Sequence, residues 1–102
     1  MAILQNWSEL NAEASGASVS KRRLEGGGAS LVRIEIKAGV SADRHAHPHE
    51  QFVQVLAGSG TLHTEEGSER FAAGSLFHFP RDTWHAAKFN EDTILVETNL
   101  RA

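Results

Sequence analysis

Three histidines spaced two apart, His45, His47 and His49, stand in the run GVSADRHAHPHEQFVQVLAG from Gly39 to Gly58. Two oxygen donors, Glu50 and Gln51, follow directly. In an extended chain residues i and i+2 point to one face, so His45 and His47, either side of Ala46, can present both imidazoles together. Two imidazoles with a side-chain oxygen a few residues on make three sides of a metal cage. A second run, GSLFHFPRDTWH from Gly74 to His85, passes through Pro80 and a polar turn to another histidine. His85 is read as the fourth ligand, which gives the set His45, His47, Gln51 and His85.

Strand parity separates the two oxygen donors. Gln51, Val53 and Val55 share one face of FVQVL, and Phe52, Gln54 and Leu56 share the other. A uniform β-branched face is the better inward face of a small barrel, which takes Gln51 in with the core and leaves Glu50 as the alternative ligand. Pro48 has no N–H and interrupts strand pairing, so His49 is expected beside the cage or exposed rather than in it. His63 lies on a strand whose inner face the sequence does not assign. His78 alternates with Phe77 and Phe79 and is expected at the surface.

Three nitrogens and one amide oxygen, without thiolates, do not suit a structural zinc site. They suit a divalent transition metal with open positions for water or substrate: Fe(II), Mn(II), Ni(II), Co(II) or Zn(II). A neutral Gln leaves the metal its full charge. The chemistry expected is polarisation of a carbonyl, enol or enediol oxygen, or acidification of a bound water.

The elements that must position these groups are short strands. LVRIEIKA alternates, with Val32, Ile34 and Ile36 on one face and Arg33, Glu35 and Lys37 on the other. Further strands are expected at 51–56, 60–65, 69–72, 75–79, 84–89 and 93–98, with turns between them. Such spacing predicts an all-β sandwich or barrel. VSKRRL, 19–24, reads as an exposed strand. Its three consecutive cations, Lys21, Arg22 and Arg23, suit a sheet edge, with a solvated face as the plain reading and anion binding as the alternative. Residues 1–17 read as a helical turn or an irregular edge segment, with Trp7 over one end of the core or at a subunit contact. No long amphipathic helix, linker or repeat is apparent, and one domain spanning 1–102, with its barrel over about 18–99, is the expectation.

Ten basic and 13 acidic residues give a net charge of -3, which does not suit a nucleic-acid surface. There is no cysteine, hence no disulfide frame, and no run of apolar residues long enough to span a membrane. A cytoplasmic protein acting on a small molecule, with no nucleic-acid or membrane partner, is the expected setting. A chain of this size is marginally stable alone, so a homodimer or a bound metal would help it.

The two histidine-bearing runs resemble the cupin superfamily. Its first motif is a glycine, a histidine pair two apart, a glutamate and a closing glycine. Gly39, His45, His47, Gln51 and Gly58 stand there, with Gln in place of Glu. Gly74, Pro80 and His85 match the second motif, with Asp82 where Gly is usual and Phe89 where Asn is usual. The resemblance implies a double-stranded β-helix, or jelly-roll barrel, with the metal inside, and often a homodimer. His47–Gln51, HPHEQ, is similar to the KdgF-type single-domain cupins, which ketonise unsaturated uronates. That likeness implies the same four ligands and an acidic residue on the last strand, here Glu97, as a catalytic candidate. Asn99 replaces the aromatic residue that follows there, and Arg101 lies two positions before the usual arginine. Three functions follow as expectations: a Lewis-acid isomerase- or lyase-like enzyme on a small polar carbonyl or enol, a metal-dependent dioxygenase, and a non-catalytic small-molecule binder.

Overall fold

The protein is described here by a computed structural model covering residues 1–101; the last position of the expected domain, 102, lies outside them. Alternation drives the architecture. Strands whose side chains are apolar at every second position can bury one face only, and two such sheets closing on each other bury both. The strands are β1 (Glu13–Ser15), β2 (Val19–Glu25), β3 (Ala29–Ile36), β4 (Ser41–His45), β5 (Gln51–Ala57), β6 (Ser59–Thr64), β7 (Gly67–Ala72), β8 (Leu76–Phe79), β9 (His85–Phe89) and β10 (Thr93–Leu100). A six-stranded sheet runs β1-β2-β3-β10-β5-β8 and a four-stranded sheet runs β4-β9-β6-β7. Every pairing is antiparallel. This is the all-β jelly roll that the resemblance implies. No helix of the described residues is long and apolar enough to cross a membrane.

The core lies between the sheets. Val32, Ile34 and Ile36 of β3, Val53 and Val55 of β5, Leu95 of β10, Phe71, Phe79 and Phe89 form one buried cluster. Phe89, which stands where the motif has Asn, is thus a core residue. On the outer face of β3, Arg33 reaches Glu35 at 2.6 Å. Gly60 marks the tightest approach: a Cβ there would meet the Lys88 carbonyl oxygen and lie 2.6 Å from Phe71 Cζ. Only a residue without a Cβ lets β6 and β9 close over the Phe71 ring.

Three expectations change. β4 is a strand the alternation does not reveal, because only one residue of SADRH, Ala42, is even partly buried. The segment 1–17 holds both a 3-10 turn, Trp7–Glu9, and the edge strand β1. Trp7 is half-buried and outside the core cluster, and its carbonyl accepts from Arg22 at 3.1 Å. In consequence only part of β2 is a sheet edge: β1 covers residues 19–21, no strand of the described residues pairs beyond residues 22–25, and Lys21 and Arg22 are half-buried.

Candidate metal centre

The three histidines arrive from two elements and a loop. His45 ends β4 and His85 begins β9, and the two are direct cross-strand partners. The ladder slips between Ala42 and His45. Such a bulge leaves backbone groups free and re-aims a side chain. Here the freed Asp43 carbonyl lies 2.7 Å from His45 Nδ1. A ring that donates from Nδ1 keeps its Nε2 lone pair for a metal. His47 lies beyond β4, ahead of Pro48, and its carbonyl accepts the Asp82 N–H at 2.8 Å. That bond ties the histidine loop to the 80–83 turn that delivers His85. Asp82 itself sits at φ 61, the left-handed conformation that Asp tolerates where the motif has Gly.

The result is convergence. Ring centroids are 5.0 Å apart for His45–His47, 4.2 Å for His45–His85 and 5.6 Å for His47–His85. One ligand atom from each ring lies within 4.8 Å of the others. Phe79 stacks flat on His85 at 3.8 Å and holds its plane. His85 is buried, His47 half-buried and His45 exposed, so the cluster opens to solvent on the His45 side.

Gln51 begins β5 and is only 2% exposed, inward with Val53 and Val55 as parity requires. Its amide nitrogen donates to Asn99 Oδ1 at 2.7 Å, which leaves the amide oxygen as the end with lone pairs. His49 Nε2 lies 3.3 Å from the same Asn99 oxygen, and its ring stacks on His47 at 4.9 Å. Glu50 points outward, 2.6 Å from His78 Nε2, and the His78 ring lies over Phe52. His63 faces out of the barrel, bonded to Ser68 at 2.6 Å and paired in register with Ala86. Arg101 engages Glu25 and the Gly26 carbonyl rather than the histidines. Sequence reading passed over Asn99 as a departure from the family tail. Its signal was parity: it shares the inward face of β10 with Leu95 and Glu97.

The surroundings disfavour the charged form of two of the three rings, His85 and His47. Burial, then the neighbouring charges of His45 and His47, push His85 down to about 4, with a small opposing effect from the Thr83 backbone. Burial, followed by His45, His49 and Lys21, also lowers His47. Both rings are therefore deprotonated at neutral pH, the form a metal needs. Burial raises the Glu97 carboxyl, against the opposing pull of Lys21, Asn99, Arg23 and His45.

These residues fit a divalent transition metal. Three imidazoles converge, and the buried Gln51 amide lies inward on β5, whose partner Phe79 stacks on His85, so the donor set is nitrogen and oxygen without thiolate. His45, His47 and His85 could thus hold a metal ion.

Residues 32–98 match the family model described as Cupin domain. No curated protein sequence matches the chain. Among solved structures, an RmlC-like cupin from Shewanella frigidimarina superposes with a TM-score of 0.89 at 22% identity, over 100% of this chain and 93% of that one. KdgF from Halomonas sp. gives 0.81 at 19% identity, over 93% and 92%. Ectoine synthase from P. lautus gives 0.84 at 19% identity, over 97% and 78%. At these identities the likeness is one of fold.

Proposed function

The chain belongs to the cupin family, and from that premise we propose that it is a metal-dependent enzyme acting as a Lewis acid on a small polar carbonyl or enol substrate. The reaction class is isomerase- or lyase-like, of the kind that ketonises an unsaturated uronate. One observation carries the reading: three imidazoles converge to within 4.8 Å with a buried amide, Gln51, inward at the same end of the barrel. In this reading His45, His47, His85 and Gln51 hold the metal, which is Fe, Mn, Ni, Co or Zn. A divalent ion there supplies positive charge that polarises a bound oxygen.

The chain's own residues do the rest. Asn99 fixes the Gln51 amide and the His49 ring. Phe79 locks the plane of His85. Glu97 lies on the inward face of β10, between Val32 of β3 and Val53 of β5. Its pKa, raised by burial, suits a carboxyl that takes a proton from one substrate carbon or oxygen and returns it to another. The working unit is a homodimer. Its support is the exposed apolar stripe of Phe52, Leu56 and Leu76 on the outer face beside the free edge of β8.

Elemental analysis of untagged protein tests the site. Near one metal per chain is expected, with loss in His47→Ala. Metal in neither sample after soaking would reject the reading. Oxygen uptake on adding an enolised diketone to the iron-loaded protein would instead select oxygenase chemistry, and ligand stabilisation without turnover would select a binder.

A further inference from the structure

The run Lys21-Arg22-Arg23 is split by strand parity. Val19, two residues before Lys21 on β2, packs against the core cluster. Lys21 and Arg23 share its face, and Arg22 takes the other. Arg22 is spent structurally: its guanidinium donates to the carbonyls of Trp7 and Leu10 at 3.1 and 2.7 Å. Lys21 and Arg23 are not spent in this way. Register places Arg23 opposite Val32, which is opposite Glu97, which is opposite Val53. The next row inward runs Lys21, Ile34, Leu95, Val55. The row on the other side of Glu97 holds Ser30, Asn99 and Gln51. Two strand spacings, roughly 10 Å, separate the Arg23 and Glu97 backbones. The two cations therefore lie on the same sheet face as Glu97 and the Gln51–Asn99 pair, Lys21 half-buried and Arg23 at the exposed margin.

We propose that Lys21 and Arg23 form an anion subsite that receives a carboxylate of the substrate while its carbonyl or enol oxygen faces the histidine cluster. The second half of that statement rests on the function proposed above; the subsite itself does not. Among the described residues no carboxylate lies within ion-pairing distance of Lys21, and Arg23 has only a long, exposed contact of 3.7 Å to Glu25. Lys21 is half-buried, so its stem lies along that face while its ammonium needs a polar neighbour. Register puts both residues on the face that carries Glu97, and the charge of Lys21 acts on His47 and Glu97 and that of Arg23 on Glu97. Glu13 of β1 and Glu25 share this face with the two cations, yet no carboxylate of the described residues reaches Lys21, so a substrate carboxylate can meet its ammonium, which a neutral sugar would leave unpaired.

Calorimetric titration tests this, with metal content measured on every sample. The probes are 2-oxobutanoate, 4-oxopentanoate and 5-oxohexanoate, each against its methyl ester, on metal-loaded and metal-free protein. At least one acid is expected to bind about ten-fold tighter than its ester, the scale of one charge-assisted hydrogen bond. Lys21→Met should remove that preference without changing metal content, and Lys21→Arg should retain it. Glu97→Gln should tighten the acid and leave the ester unmoved, a response that a purely structural lysine would not give. Equal binding of acid and ester, no binding of any acid, or an acid preference that survives Lys21→Met overturns the subsite. A wild type that takes up no metal sinks the metal-site reading instead, and the acid-to-ester ratio of the metal-free protein still decides the subsite.

Discussion

His85 shows how one side chain couples folding to the site. In the metal-free protein its folded pKa is about 4 against an ordinary 6.5. Between those values the unfolded chain holds a proton that the folded chain does not, so stability is present above pH 6.5 and is lost as pH falls toward 4. His47 is shifted in the same direction. Metal-free protein should therefore melt at a lower temperature at pH 5 than at pH 7, and His85→Phe should shrink that difference. An unchanged difference in the variant would place the effect elsewhere. Glu97 carries the opposite sign. Its pKa is raised, so its contribution is present below the ordinary carboxylate range and is lost as pH rises through the folded value. Glu97→Gln should accordingly raise the melting temperature at pH 8 and leave it nearly unmoved at pH 4. The same variant should cut turnover by about 100-fold or more if Glu97 moves the proton. Full turnover would remove it from that role.

Turns and ladders, rather than the histidines themselves, set where the three rings meet. The β4 bulge re-aims His45, and the Asp82 N–H to His47 carbonyl bond fastens one histidine run to the other. Because Asp82 sits at positive φ, Asp82→Gly should hold or slightly raise stability, while Asp82→Val should cost about 1–2 kcal/mol. Chemical denaturation of both variants checks this, and equal stabilities would argue against the strained turn. Strand parity made much of this level legible beforehand: the inward set Gln51, Val53, Val55 and the outward His78 follow from period two alone. β4 did not, because its residues have no apolar alternation and its pairing is fixed by β9. Nor did the place of β2, since a run of three cations reads alike at an edge and at a covered strand.

At the scale of the whole molecule, the six-stranded sheet ends in β8, whose outer face carries Leu76 at 76% exposure next to Phe52 and Leu56. If a second copy covers this face, sedimentation should report a dimer at micromolar concentration and Leu76→Lys should shift it toward monomer with little change in metal content. A wild type that stays monomeric would dismiss the face as an interface between copies.

The amino-acid sequence by itself determined the period of the strands, the residues facing the core and the three histidines able to meet, because each depends on local alternation and turn chemistry. Tertiary structure decided which neighbours those residues have. Asn99 holds Gln51 from 48 positions away. Glu50 is drawn off to His78, 28 positions away. Arg22 is taken up by the carbonyls of Trp7 and Leu10, 15 and 12 positions away. Such pairings depend on the order in which strands are laid into the sheets, and no local pattern encodes that order.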